Sequence, residues 1–127
     1  MNYDFDAAAR HFAARNAFTT GPHELAGMID AKADITIVDV RYPADYRAAH
    51  VPGAVSLPKG KWEKPAGLSK DRPNVLYCYN AQCHLASEAA AILVAQGYPV
   101  VEMEGGFAAW ESFGNALETS APAAAAA

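Results

Sequence analysis

Apolar positions along the chain change period from segment to segment. Between residues 2 and 18, Phe5, Ala8, Ala9, Phe12 and Ala13 recur at the i, i+3, i+4, i+7, i+8 spacing of one helical face. This predicts an amphipathic helix packed on the domain or on a second subunit. Residues 18–20 predict a short strand. Gly21-Pro22 followed by Glu24 is a helix-start signal, because proline is pre-organised for the first helical position; Leu25, Met28 and Ile29 give that helix its apolar stripe. The run ITIVDV at 35–40 is apolar at both parities, as a strand covered on both faces requires. A short helix is predicted over 43–49, a second short strand over 54–57 and a third over 75–78. An alanine-rich helix from 83 or 84 to 96 stops at Gly97. A last strand over 99–103, a turn at Gly105-Gly106 and a closing helix over 107–113 complete the pattern. Residues 59–71, with four lysines, two glycines, one proline and one tryptophan, predict a surface excursion.

Strands alternating with helices imply right-handed crossovers. The predicted fold class is therefore α/β, a mainly parallel central sheet of about five strands flanked by helices on both faces. Such sheets bind ligands beyond the carboxyl ends of their strands, and Asp39, Arg41 and Cys78 all map to that edge.

Composition narrows the function classes. A length of 127 residues with 52% hydrophobic content suits one core without disulfide staples. Ten Lys+Arg against fourteen Asp+Glu, a formal charge of −4 and no basic run argue against a nucleic-acid footprint or an anionic-membrane patch. No apolar stretch reaches the roughly 18 to 20 residues of a membrane span, and MNYDFDAAAR does not read as a secretory leader. A cytoplasmic location is the expectation.

The two cysteines, Cys78 and Cys83, cannot build a disulfide framework, so reactivity or metal binding becomes the question. A strand ending at Cys78 and a helix starting near Cys83 leave Tyr79, Asn80, Ala81 and Gln82 to make a tight loop around the first sulfur. Inward N–H groups and the following helix start would form a nest for an anion. The expected consequence is a thiolate favoured over the thiol at Cys78. The competing reading is a small hydrophobe finishing an apolar strand.

Four blocks, IVDVR (37–41), DYRAAHVPGAVSLP (45–58), LYCYNAQCHLA (76–86) and GYPVVEMEGGFAAW (97–110), occur in an order and spacing that resemble the rhodanese family of sulfurtransferases. The resemblance runs from residue 20 to residue 113, and is nearest to single-domain members with an N-terminal helix and a CYNxxCHLA loop. It implies Cys78 as the catalytic residue, carrying a persulfide, with Tyr79, Asn80, Ala81, Gln82, Cys83 and His84 forming the substrate-binding loop. The expected division is an N-terminal amphipathic helix at 1–18, read from its spacing, a rhodanese-like domain at 19–114, and an alanine-rich tail at 115–127 expected from its composition to be flexible. Many rhodaneses have glycine and arginine where this loop has Ala81 and Cys83. The missing arginine removes a cation that would help bind an anionic donor. Phosphatases of this fold need an arginine at the place of His84, and the absence of its planar fork disfavours phosphoryl chemistry.

Cys83 is read as a small residue at the helix start, against a second reading as a thiol that attacks the Cys78 persulfide. His84 either supplies positive charge at the rim or faces solvent. A metal site built from Cys78, Cys83, His84 and His50 lacks the usual ligand spacing. Arg41 is expected to pair with Asp45 or hold loop carbonyls, and Asp39 to accept from nearby backbone donors. Lys59, Lys61 and Trp62 are candidates for one wall of the entrance, with a solvated loop as the competing description. Gly105-Gly106 is expected to let the last loop approach the site. The expected activity is transfer of a sulfane sulfur from thiosulfate or a related donor to a thiol or cyanide. No cofactor, metal, nucleic acid or membrane takes part, and a homodimer through the N-terminal helix is the expected protein contact. The rival expectation is a non-catalytic binding or thiol redox-sensing module.

Overall fold

A computed structural model describes residues 1–120. Five helices and five strands follow one another as α1 (Phe5–Phe18), β1 (Thr19–Thr20), α2 (Pro22–Asp30), β2 (Thr36–Asp39), α3 (Pro43–Ala48), β3 (Val55–Ser56), β4 (Asn74–Tyr77), α4 (Leu85–Ala95), β5 (Val100–Met103) and α5 (Gly106–Ser112). Every element anticipated from the hydrophobic pattern is present. Proline stands at the first turn of both α2 and α3, where its missing N–H costs nothing. Gly97, at φ +91°, takes the left-handed turn after α4 that an L side chain resists.

The strands form one parallel sheet in the order β1-β5-β4-β2-β3, confirming the expected α/β architecture. β4 lies at its centre, paired with β2 through Val38↔Leu76 and with β5 through Leu76↔Glu102. Alternation along the strands divides the core. Val38, Val40, Leu76 and Cys78 meet Ala86, Ala89 and Leu93 of α4 on one face; Ile37, Val75 and Tyr77 meet Leu25 and Trp110, from α2 and α5, on the other. Leu76 and Leu25 are fully buried, each contributing about 1.5–3 kcal/mol relative to exposure.

Three local expectations change. α1 buries none of its side chains, and Phe5, Phe12 and Phe18 are 76%, 53% and 63% exposed. The phenylalanines therefore do not pack within the chain as an amphipathic stripe would. α1 is tied instead by polar contacts, including Arg15 to Glu104 at 2.9 Å. Residues 115–120, expected to belong to a loose tail, are held against the domain. Glu118 pairs its backbone with His50, Ala116 accepts from the Trp110 indole N–H, and Ser120 donates to the Arg47 carbonyl. The alanine-rich remainder of that tail lies outside the described residues. Trp62, a candidate for the entrance wall, is buried with its indole N–H on the Leu57 carbonyl at 2.8 Å, so the excursion of 59–71 supplies a core plug.

Candidate active site

Cys78 is the residue directly after β4 and is only 3% exposed. Beyond it, the Asn80 carboxamide oxygen accepts the Gln82 N–H at 3.0 Å and the Asn80 carbonyl accepts the Cys83 N–H at 3.1 Å. These two bonds turn the chain within the short span between strand and helix. They also occupy the N–H groups of Gln82 and Cys83, two donors that the loop was expected to aim at a ligand.

The orientation of the remaining loop peptides comes from α5. Phe107 N–H donates to the Cys78 carbonyl at 2.8 Å and Ala108 N–H to the Tyr79 carbonyl at 2.9 Å, satisfying donors that a helix start leaves unpaired. A trans peptide holds its N–H opposite its C=O. Fixing those two carbonyls on α5 therefore turns the N–H groups of Tyr79 and Asn80 toward the sulfurs. Close contact is essential here. A Cβ on Gly106, whose φ is +63°, would lie 2.6 Å from the Asn80 nitrogen and 2.7 Å from the Cys78 oxygen. Gly105-Gly106 thus brings the last loop onto the cysteine loop, as its position in the sequence suggested.

The nest serves two sulfurs. Backbone N–H groups of Ala86 and Asn80 reach Cys78, and those of Tyr79 and Leu85 reach Cys83. The Cys78 thiol donates to the Cys83 carbonyl at 3.4 Å, and the Cys83 thiol lies next to it. Burial, followed by that thiol contact, pushes the Cys78 pKa up to about 11. This reverses the expected depression: the two N–H donors do not outweigh burial and a neighbouring sulfur. Burial opposes ionisation at Cys83 as well, but the hydrogen bond from Cys78 and the two backbone donors prevail, and its pKa is lowered.

At the end of neighbouring β2 the polar groups are closed on one another. Arg41 places Nη2 2.8 Å and Nε 3.2 Å from Asp39 Oδ2, and reaches the Ala49 carbonyl at 2.6 Å. Tyr77 donates its hydroxyl to the same Asp39 oxygen at 2.7 Å and accepts the Val51 N–H at 3.1 Å. Burial and then Asp39 raise the Tyr77 pKa. Arg41 thus pairs with Asp39 rather than with the Asp45 carboxylate, while holding loop carbonyls as expected. Asp39 accepts the Arg41 backbone N–H at 2.9 Å, as foreseen. The Asp45 carboxylate instead takes the Tyr79 hydroxyl, so the Tyr79 side chain leaves the sulfur and anchors the loop to α3. His50 lies away from the cysteines, stacked on Tyr46 and bonded to the Tyr46 carbonyl and Glu118.

A cavity of about 220 Å³ opens beside Cys78, lined by Asn80 and Ala81 of the loop and by Glu102, Met103, Glu104, Gly105 and Gly106. Among the substrate-loop residues read from the sequence, Asn80 and Ala81 reach this space, Cys83 touches Cys78, Gln82 is exposed, and His84 caps α4 at the surface. Sequence reasoning missed Leu85 and Ala86, whose contribution is backbone, and the two glutamates. The alternation of β5 could have found the latter, since Glu102 and Glu104 share one parity. The described residues contain no group of three or more His, Cys, Asp and Glu side chains placed to hold a metal. Nor does any described helix have the length and apolarity to cross a membrane.

A parallel α/β sheet that presents one cysteine between its central strand and a helix defines a class of thiol-loop domains. Within that class, the chain belongs to the rhodanese-like domain family, whose pattern matches residues 21–113. It is 37% identical over 87 residues to the thiosulfate sulfurtransferase GlpE of Pseudoalteromonas translucida, covering 64% of this chain and 77% of that one. Over 90 residues it is 34% identical to the HTH-type transcriptional regulator Rv0324 of Mycobacterium tuberculosis, covering 70% of this chain but only 40% of that protein. The crystal structure of the BH2092 protein from Bacillus halodurans superposes with a TM-score of 0.85 at 29% identity, covering 92% of this chain and 88% of the other.

Proposed function

We propose that the protein is a sulfurtransferase that carries a sulfane sulfur as a persulfide on Cys78. The observation that carries this reading is the placement of the Cys78 sulfur, at the carboxyl end of the central strand, among backbone N–H donors and beside a small cavity. In the first half-reaction, Cys78 sulfur bonds to the sulfane sulfur of thiosulfate or a related donor. The donor's sulfur–sulfur bond breaks, and sulfite or a thiolate leaves. The Cys78 proton is released to solvent before the attack, because the thiolate and not the thiol is the nucleophile. N–H groups of Asn80 and Ala86 stabilise the charge that develops on sulfur. In the second half-reaction, a thiol or cyanide attacks the outer sulfur and Cys78 departs as the leaving group.

The test is intact-protein mass after incubation with donor. The expected result is a gain of one sulfur, about 32 Da, located on Cys78, with ping-pong kinetics when an acceptor is added. An unmodified Cys78 under donor excess would refute the reading. The buried thiol with a pKa of about 11 favours, as the second reading, a binding or thiol-sensing module. Such a module would form no adduct and show no turnover in the same assay, while retaining alkylatable thiols.

A further inference from the structure

The wall facing Cys78 carries negative charge on the same side of the sheet as the sulfur. Leu76 pairs with Glu102 at the end of the β4–β5 ladder, and Glu104 follows in the turn after β5. Because paired residues of neighbouring strands project to one face, Glu102 shares with Leu76 the side of the sheet on which Cys78 packs. Both glutamates line the small cavity. Glu102 is half-buried, and burial followed by repulsion from Glu104 raises its pKa, with His84 acting in the opposite direction.

The positive charges near this wall are largely engaged. Arg15 of α1 is bonded to Glu104 at 2.9 Å and is itself half-exposed. Arg41 is closed on Asp39 within the neighbouring network, and Lys59 faces Glu88. His84 stands at the surface. The loop position before His84 holds a cysteine, Cys83, and supplies no cation. A dianionic donor would thus meet the carboxylate of Glu102 and that of Glu104, the latter already paired with Arg15, at separations where Coulomb repulsion is not fully screened.

Resting on the sulfurtransferase reading, we infer that Glu102 and Glu104 are specificity-determining residues that select small cationic hydropersulfides of the aminoalkyl class as sulfur donors and disfavour anionic ones. The cavity suits this class by size, lying below the roughly 300–1,000 Å³ that hold drug-sized ligands. The ammonium group takes the place beside the paired carboxylates. Its sulfane sulfur meets Cys78. Cys78 thiolate bonds to the outer sulfur of R–S–SH, the sulfur–sulfur bond of the donor breaks, and R–S⁻ leaves with the electron pair. The enzyme is left as the Cys78 persulfide, with no external oxidant or reductant.

The experiment compares aminoethyl, hydroxyethyl and carboxyethyl hydropersulfide, together with thiosulfate, as loaders of the full chain, read by the rate of appearance of the Cys78 adduct. In about 10 mM salt the aminoethyl donor should load at least about tenfold faster than the carboxyethyl donor. That ratio should shrink severalfold near 1 M salt as screening sets in. Glu102→Gln and Glu104→Gln should each lower the ratio by about threefold and improve thiosulfate use, whereas Arg15→Gln should raise the ratio. A purely structural role for these side chains would not move donor preference in opposite directions. Equal loading by all donors, or a ratio unmoved by both glutamate substitutions, overturns the charge selection and leaves the sulfurtransferase reading standing. If no donor loads Cys78, both fall.

Discussion

Two strand ends lie side by side on this sheet and are built on opposite plans. At the end of β2, Asp39 and Arg41 are buried and, with the Tyr77 hydroxyl reaching across from β4, use their polar atoms on one another and on nearby backbone. At the end of β4, Cys78 is also buried, yet its environment is divided. Two N–H groups favour its charge, while burial and the Cys83 thiol oppose it. The first arrangement has one stable charge distribution and nothing left to offer a substrate. In the second, opposed influences meet with burial prevailing, and N–H groups beside the sulfur would favour its charge once an incoming molecule draws the proton away. What separates a structural polar cluster from a reactive one is how completely its bonds are already made, since both are polar and buried.

The comparison can be broken from either side. The largest effect expected is at Cys78→Ser, which should abolish the one-sulfur mass adduct completely while leaving the thermal unfolding midpoint within a few degrees of the parent. Arg41→Ala is the converse. It strands a buried carboxylate and should cost about 3–5 kcal/mol in denaturant unfolding, while the folded fraction still loads sulfur. Gly106→Ala addresses the seam between α5 and the cysteine loop. Its clash and positive φ should cost about 1–3 kcal/mol and slow loading, because the loop carbonyls lose their seat on α5.

A subtler effect lies in the thiol pair. Alkylation of Cys78 by iodoacetamide should keep accelerating up to about pH 11, whereas Cys83 should react at lower pH. Cys83→Ala should bring the Cys78 pKa down, since one cause of its elevation is removed and burial remains. Because the folded-state value is raised, the stability that this thiol contributes is present below the ordinary thiol pKa and is lost as pH rises through about 11. The smallest effect expected is at Glu118→Gln. Its pKa is lowered by the Gly53 N–H and by His50, so its contribution is present above the ordinary carboxyl range and lost as pH falls through the lowered value. The side chain is half-exposed, and an exposed pair of this kind is worth about 0–1 kcal/mol in equilibrium unfolding.

The order and type of the elements were legible because long-range packing here agrees with local pattern. The doubly apolar run at 35–40 becomes a strand covered on both faces, and Pro22 and Pro43 mark helix starts. Cys78 was legible as well, from its place between a strand and a helix. The thiol pKa was not, because desolvation depends on the α4 side chains packed over the loop, and the loop's own residues do not contain that information. Arg41 was assigned correctly to a scaffold role but to the wrong carboxylate, since the spacings to Asp39 and Asp45 are equally compatible with contact. Trp62 sat among lysines and glycines whose polarity concealed a buried indole. The stripe of α1 was read as a packing face, yet Phe5 and Phe12 remain exposed, because periodicity identifies a face without identifying what covers it.

The two hydrogen bonds from Phe107 and Ala108 to the cysteine loop have a consequence for the order of events in making this molecule. They cross almost thirty positions of chain, so the segment from 76 to 86 can be synthesised, and β4 paired with β2, before the peptides around Cys78 acquire their orientation. A nascent chain ending before residue 107 carries its sulfur without the setting that makes the sulfur useful. The orientation of the peptides around Cys78 thus waits on the docking of α5, an element made well after the loop it fixes.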